Sequence, residues 1–153
     1  MIILQDTRES RPLIFNDPYI TEVKVTKLEV GDYGCEYRDN HIPPIYFERK
    51  SIGDLFSSLT GDYKRFKKEL QRSQDNRLTL LIIIEGTLTK VLKGYRYSTF
   101  AGISVVRKLF TIWVRYGIKH IYCRDREEMA EYITQFYYSV GKERLKKLGK
   151  RRL

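Results

Sequence analysis

Cysteine, histidine and long apolar runs are all scarce in this chain, and each scarcity removes a class of function. Two cysteines, Cys35 and Cys123, in 153 residues are too few for a disulfide framework or a zinc site. Both read as reduced thiols, packed inside. Of the two histidines, His41 falls in a loop and reads as a surface residue rather than a general base. No apolar run reaches the length of a membrane span. The start, Met1-Ile2-Ile3-Leu4-Gln5-Asp6, is too short in apolar residues and too soon charged for a signal peptide. There is no Gly-rich phosphate loop to support ATP use, and no constellation around a nucleophilic serine or cysteine.

What is abundant is positive charge. The formal net charge is +10 and the pI near 9.6, which suits a polyanionic partner without separating DNA, RNA and acidic membrane. The last thirteen residues carry seven cations against one acid, Glu143. The chain therefore divides into one domain over residues 1–140, large enough for a continuous core, and a basic tail over 141–153. Leu145 and Leu148 give that tail only a thin apolar side for membrane contact.

Periodicity predicts the elements in order. Ile2-Ile3-Leu4 reads as a buried strand, and Val23, Val25 and Leu28 as a half-buried one. Between them, Pro12, Asn16-Asp17 and Pro18 leave little room for a long helix. Gly31-Asp32-Tyr33-Gly34 reads as a turn, and Asp39-Asn40 as a hairpin turn. Ile45–Lys50 is a strand, and Ser51 with Asp54 three residues later forms a capping box for the helix that follows. A basic helix starts near Gly61-Asp62, with Tyr63, Phe66 and Leu70 as its apolar stripe. Leu78–Ile84 is apolar on both faces and belongs at the centre of a sheet. Thr87–Ser98 reads as a basic loop, and its interleaved Tyr95, Arg96 and Tyr97 suit contact with unpaired nucleic acid. From Thr99 a helix should bury Phe100, Ile103, Val106, Phe110 and Trp113-Val114. A short strand over 118–123 and a long helix capped by Asp125 complete the pattern. The long helix buries Met129, Ile133, Phe136, Tyr137 and Val140, while Tyr132 and Tyr138 widen its stripe enough to suggest an interface.

The chemistry concentrates between Gly31 and Asp54. A strand sends alternate side chains to opposite faces, so Glu48 and Lys50 point one way and Arg49 the other. Asp32, upstream, adds a second acid. Carboxylates can hold a hard cation through oxygen, and a lysine beside them can steady or deprotonate a water.

Gly31-Asp32, Glu48-Arg49-Lys50 and Asp54 together resemble the G-D-x(n)-E-R-K-x3-D signature of the XPF-type structure-specific DNA endonucleases, with every position filled. Asp6-Thr7-Arg8-Glu9 resembles the family's D-x-R-E. Asp54-Leu55-Phe56-Ser57-Ser58 and the segment from Gly61 to Phe66 resemble the motifs that follow the signature. The likeness is close over residues 2–86.

The resemblance implies an α/β, restriction-endonuclease-like three-layer sandwich, a central mixed sheet flanked by helices. It also implies a DNA endonuclease dependent on Mg²⁺ or Mn²⁺, acting on branched, flap or junction DNA in repair or recombination. Asp32, Glu48 and Asp6 would hold the metal. Lys50 would orient water, Arg49 would fix the acids, Glu9 would support them, and Asp54 would support the basic pair. Lys64, Arg65, Lys68 and Arg96 are the expected DNA contacts, and Glu85 is expected near the site. Family members pair through the nuclease domain, as homodimers or heterodimers. The family's usual helix-hairpin-helix module is not expected here, and either the basic tail or a partner chain would then supply part of its DNA affinity. The expected compartment is the cytoplasm of a microbe or infected cell, or a nucleus. A non-catalytic DNA-binding or scaffold subunit is the alternative, and an RNA nuclease is the alternative within the enzyme class.

Overall fold

The structure, a computed structural model, describes residues 1–149. Lys150, Arg151 and Arg152 of the expected tail lie outside the described residues. Among the described residues, six strands form one mixed sheet: β1 (Ile2–Asp6), β2 (Glu22–Thr26), β3 (Tyr33–Glu36), β4 (Ile45–Ser51), β5 (Thr79–Glu85) and β6 (His120–Cys123). Their order across the sheet is β2-β1-β3-β4-β5-β6. The β1–β2, β4–β5 and β5–β6 pairs are parallel, and β3 runs antiparallel to both neighbours. Five helices accompany the strands: α1 (Ile52–Ser58), α2 (Tyr63–Asp75), α3 (Leu88–Lys93), α4 (Gly102–Tyr116) and α5 (Arg126–Lys147).

The apolar strand β5 sorts its side chains into two cores. Leu80, Ile82 and Ile84 pack with Leu55, Phe66, Leu70 and Leu109, the cluster beneath α1 to α4. Leu81 and Ile83 pack on the opposite face with Phe47, Met129, Ile133 and Tyr137, beneath α5. This is the expected three-layer α/β sandwich, built because a strand apolar on both faces needs helices on both. Cys35 and Cys123 are both buried and free. No helix among the described residues is long and apolar enough to cross a membrane.

The helix caps follow the sequence. Ser51 Oγ accepts the Asp54 N–H at 3.2 Å, and Asp125 Oδ1 accepts the Glu128 N–H at 2.8 Å. Several expectations need correction. β2 is an exposed edge strand, with Val25 60% exposed, because no helix forms over 10–20 to cover it. β3 begins at Tyr33, so of the expected turn only Gly31 and Asp32 precede the strand, closing a bend over 29–32. Thr87–Ser98 is not all loop: Thr87 caps the short helix α3.

The largest correction concerns α4. Its buried residues are Val105, Val106, Leu109 and Ile112, while Ile103, Phe110, Trp113 and Val114 stay exposed. The helix carries apolar residues on two sides, and i, i+3, i+4 spacing fits either. Gly102 decides which side turns inward, since α4 starts against α3 so closely that a Cβ there would collide with the Val91 carbonyl oxygen.

The expected tail boundary at 141 coincides with no break, because α5 continues to Lys147 with Gly141 and Leu145 buried. Two of its cations are engaged within the chain, Arg144 with Asp39 at 2.8 Å and Lys146 with Glu143 at 2.6 Å.

Candidate active site

Backbone hydrogen bonds draw the signature segments together at one end of the sheet. The Asp32 carbonyl accepts the Asp6 N–H at 2.8 Å, which joins the bend to the end of β1. The Asp32 N–H donates to the Phe47 carbonyl at 2.7 Å, and Asp32 Oδ2 accepts the Arg49 N–H at 2.8 Å. Asp32 is thus pinned to β4 from both its backbone and its side chain. Gly31 makes this approach possible. Its φ is +74°, and a Cβ there would come within 2.9 Å of the Phe47 carbonyl oxygen, so only glycine fits without strain.

The two faces of β4 separate as strand geometry requires. Glu48 and Lys50 turn into a cavity of about 390 Å³, lined also by Asp6, Arg8, Asp32, Arg65, Glu69 and Arg72. Lys50 Nζ sits 3.2 Å from Glu48 Oε1 and 4.6 Å from the centre of the Phe66 ring. Arg49 turns away to grip Glu9, Nε to Oε2 and Nη2 to Oε1, each at 2.9 Å. Both partners are almost fully enclosed. The Arg49 side chain therefore fixes an acid behind the site and does not line the cavity.

The electrostatics divide the acids into two kinds. Burial would raise Asp6 and Glu9, but hydrogen bonds from Arg8 and Leu28 to Asp6, and from Arg49 and Arg11 to Glu9, outweigh it and hold both carboxyls below their usual range. Asp32 is different: burial, with repulsion from Glu9 and Glu69, pushes it up to about 7 against the pull of the Arg49 N–H and Lys50. Glu48 is also raised, by burial first and then by Asp32 and Glu69, with Lys50 opposing. These are buried carboxylates with too little positive charge beside them.

That chemistry fits a hard divalent cation, which takes oxygen ligands. Of the expected trio of Asp6, Asp32 and Glu48, all of which line the cavity, Asp6 is held differently. Asp6 reaches the cavity, yet its Oδ1 accepts the Leu28 N–H at 2.8 Å, and Oδ2 accepts Arg8 N–H and Nε–H at 3.0 and 2.7 Å. Its oxygens are engaged in joining β1 to the following loops. Among the described residues no group of three or more His, Cys, Asp or Glu side chains is spaced to hold a metal ion. The pair Asp32 and Glu48 carries the fit.

Of the expected DNA contacts, Arg65 lines the cavity mouth, Lys64 and Lys68 are exposed on α2, and Arg96 is exposed after α3. Asp54 is exposed in the first turn of α1 and does not line the cavity. Glu85 lies elsewhere, 3.8 Å from Arg126, in a separate cleft with Lys90 and Arg124. Sequence reasoning missed Glu69, whose Oε1 accepts the Gly31 N–H at 3.2 Å. An acid between Phe66 and Leu70, on the inward edge of a basic helix, was the available signal.

A family model described as the ERCC4 domain matches residues 5–136, a span containing every residue of this cavity. The chain belongs to the ERCC4 domain family. Among solved structures, this ERCC4 domain is similar to XPF from Aeropyrum pernix, with 21% identity and a TM-score of 0.68, over 97% of this chain and 68% of that one. It is also similar to a structure described as XPF from Aeropyrum pernix in complex with DNA, with 23% identity and a TM-score of 0.68, over 93% of this chain and 66% of that one. The ERCC4 domain thus spans about two thirds of these neighbours' length, and the likeness is one of fold. No curated protein matches the sequence.

Proposed function

We propose that this ERCC4 domain is a metal-dependent endonuclease that hydrolyses phosphodiesters of DNA at branched, flap or single-strand/double-strand junctions. The observation that carries this reading is the buried Asp32–Glu48 pair, facing Lys50 inside one cavity rimmed by Arg65 and Arg72. Family membership and a fold shared with a protein solved on DNA support a DNA endonuclease.

In this reading Asp32 and Glu48 hold Mg²⁺ or Mn²⁺, and Asp6 positions the end of β1. The cation supplies charge neutralisation at the phosphate and a more acidic water. Lys50, held by Glu48, presents its ammonium to the attacking water or to the charge growing at phosphorus. The Arg49 N–H fixes the Asp32 carboxylate, and Arg49 with Glu9 buttresses β4 from behind. Asp54 supports the basic pair from the first turn of α1, which Ser51 caps. Arg65 and Arg72 meet backbone phosphates, with Lys64, Lys68 and Arg96 extending the track, and such contacts anchor DNA without reading its sequence. The basic end over 141–153 adds to this track.

Pairing of two chains through this domain belongs to the same proposal. Tyr138 packs on Tyr19 within the chain, with ring centres 4.5 Å apart, so the exposed Phe110, Trp113 and Val114 of α4 offer the more apolar surface.

The test is cleavage of labelled splayed-arm, flap and plain duplex DNA with Mg²⁺, Mn²⁺ or EDTA. Cutting near the branch is expected with either metal and none in EDTA, and Lys50→Ala should slow it about 10²- to 10³-fold. Equal cutting of plain duplex would remove the junction preference. Tight binding with no cleavage under either metal would replace the enzyme with a scaffold subunit.

Glu69 has a positioning role in this reading, since it holds the Gly31 N–H and adds negative charge at the cavity. Glu69→Gln keeps an acceptor for that N–H and removes the charge. It is expected to leave thermal stability nearly unchanged and to raise the metal concentration for half-maximal cleavage about 10-fold, within the range for groups that support metal ligands. An unchanged metal requirement would restrict Glu69 to holding the backbone.

A further inference from the structure

Between Glu85 and Asp125 the chain carries no acid at all, while eight lysines and arginines occur there. Within this stretch, just after α3, the chain makes a tight turn in which the Tyr95 carbonyl accepts the Ser98 N–H at 2.9 Å. Arg96 and Tyr97 occupy its tip. Tyr97 is 74% exposed, the most exposed aromatic ring among the described residues.

The ring is nevertheless held in place. The Arg96 guanidinium lies 4.8 Å from the centre of the Tyr97 ring. Tyr95 meets Tyr97 edge-on at 5.4 Å and itself packs on Phe56 of α1 at 5.9 Å. The Tyr95 hydroxyl sits so close to Gly53 that a Cβ there would be 3.0 Å from it. The turn is thus docked on the first turn of α1, and Gly53 follows Lys50 of the cavity by three residues. A ring that is exposed yet packed, with a cation beside it, on an acid-free stretch of chain docked against the helix that directly follows β4 of the cavity, has the makings of a base-stacking platform.

We infer that Tyr97 stacks on an unpaired nucleobase of a strand that leaves the cavity, while Arg96 meets the adjacent phosphate. The inference rests on the nucleic-acid reading above and deepens it, because a platform for one unpaired base favours substrates with a single-stranded arm. Bases inside a duplex keep their faces stacked on one another and have none to offer. The phosphate contact of Arg96 is indifferent to pairing, so the two residues divide affinity and selectivity between them.

The experiment measures binding in EDTA, where no cleavage occurs, to splayed-arm DNA and to a fully paired duplex of the same length. The arm carries 2-aminopurine at successive unpaired positions. Wild-type protein is expected to quench emission at one or two adjacent positions. Tyr97→Ala should abolish that quenching and weaken splayed-arm binding about tenfold, with duplex binding unchanged. Tyr97→Trp should restore both. Arg96→Gln should weaken both DNAs alike and lower the salt dependence of binding. If Tyr97→Ala binds both DNAs like wild type, or loses both equally, the platform is wrong, and metal-dependent cleavage by wild type would leave the nuclease reading standing. If wild type binds neither DNA, both fall. Quenching by an unpaired RNA arm but not by a DNA arm would overturn the DNA assignment and keep the stacking site.

Discussion

Asp32→Asn is expected to abolish cleavage and, in the absence of metal, to make the protein more stable above neutral pH. Both effects come from one carboxylate. In the folded chain Asp32 is pushed up to about 7 from an ordinary 3.8, so the folded state favours its protonated form. Stability from this group is present in full below pH 3.8 and is lost as pH rises through about 7. The loss is on the order of 4 kcal/mol, and the similarly raised Glu48 acts in the same direction.

Asp6 and Glu9, whose carboxyls are held below their usual range, act in the opposite sense. Their contribution is present above the ordinary carboxylate range and is lost as pH falls through it. Metal-free wild type should therefore be most stable at mildly acidic pH and weaken towards pH 8. Asn keeps the acceptor for the Arg49 N–H and removes the charge, so the variant should lose most of that weakening. On the proposed metal-dependent reading its cleavage rate should fall at least about 10³-fold, since several kcal/mol of transition-state stabilisation would depend on a held cation. Thermal melts at pH 5 and pH 8 in EDTA, repeated with Mg²⁺, check this. Wild type should gain more from Mg²⁺ than the variant does. Equal pH dependence in the two proteins would show that Asp32 carries no stored repulsion.

Arg49→Ala is expected to give the largest loss of stability of any substitution near the site. The Arg49 and Glu9 side chains are 8% and 3% exposed and share two hydrogen bonds. Removing the guanidinium strands a buried carboxylate beside an already repelled Asp32. Breaking such a pair costs roughly 3–5 kcal/mol, a large part of the total stability of a domain. A fall in Tm of roughly 10 °C or more should follow. Arg49→Lys should recover only part of this, because an ammonium cannot make the two-pronged contact. The informative variant is Arg49→Met with Glu9→Leu, which removes both charges and keeps apolar volume. It should be far more stable than Arg49→Ala while cleaving poorly if the pair also positions β4. Denaturant melts of the three variants decide the matter, and a loss under about 1 kcal/mol for Arg49→Ala would mean that water relieves the pair.

Local pattern was sufficient wherever one element carried the whole signal. Alternation along Phe47-Glu48-Arg49-Lys50 separated Arg49 from the cavity-facing pair. Ser51 and Asp125 marked helix starts by side-chain chemistry that operates within four residues. The apolar run in β5 required cover on both faces, and from that the three layers followed. Gly31-Asp32 and Glu48-Arg49-Lys50 pointed to the segments that meet at the cavity, because a bend and a strand carry their side chains in fixed order.

What failed was every question about which neighbour a side chain meets. Asp6 looks the same in sequence whether it binds a cation or accepts three N–H groups, and its partners include Leu28, from the far side of β2. Glu69 joins the site only because α2 lies across the bend, 38 residues after Gly31 in the chain. α4 offered two apolar faces of equal period, and its contact with α3 at Gly102 chose between them.

The sequence by itself determined the longer elements, the layers and the family signature, since these rest on spacing and on bonds between near residues, whereas the short helix α3 escaped it. Tertiary structure alone decided which carboxylates are neutralised by hydrogen bonds and which are left to repel one another. That depends on distances and burial between segments far apart in the chain, and no local pattern encodes them.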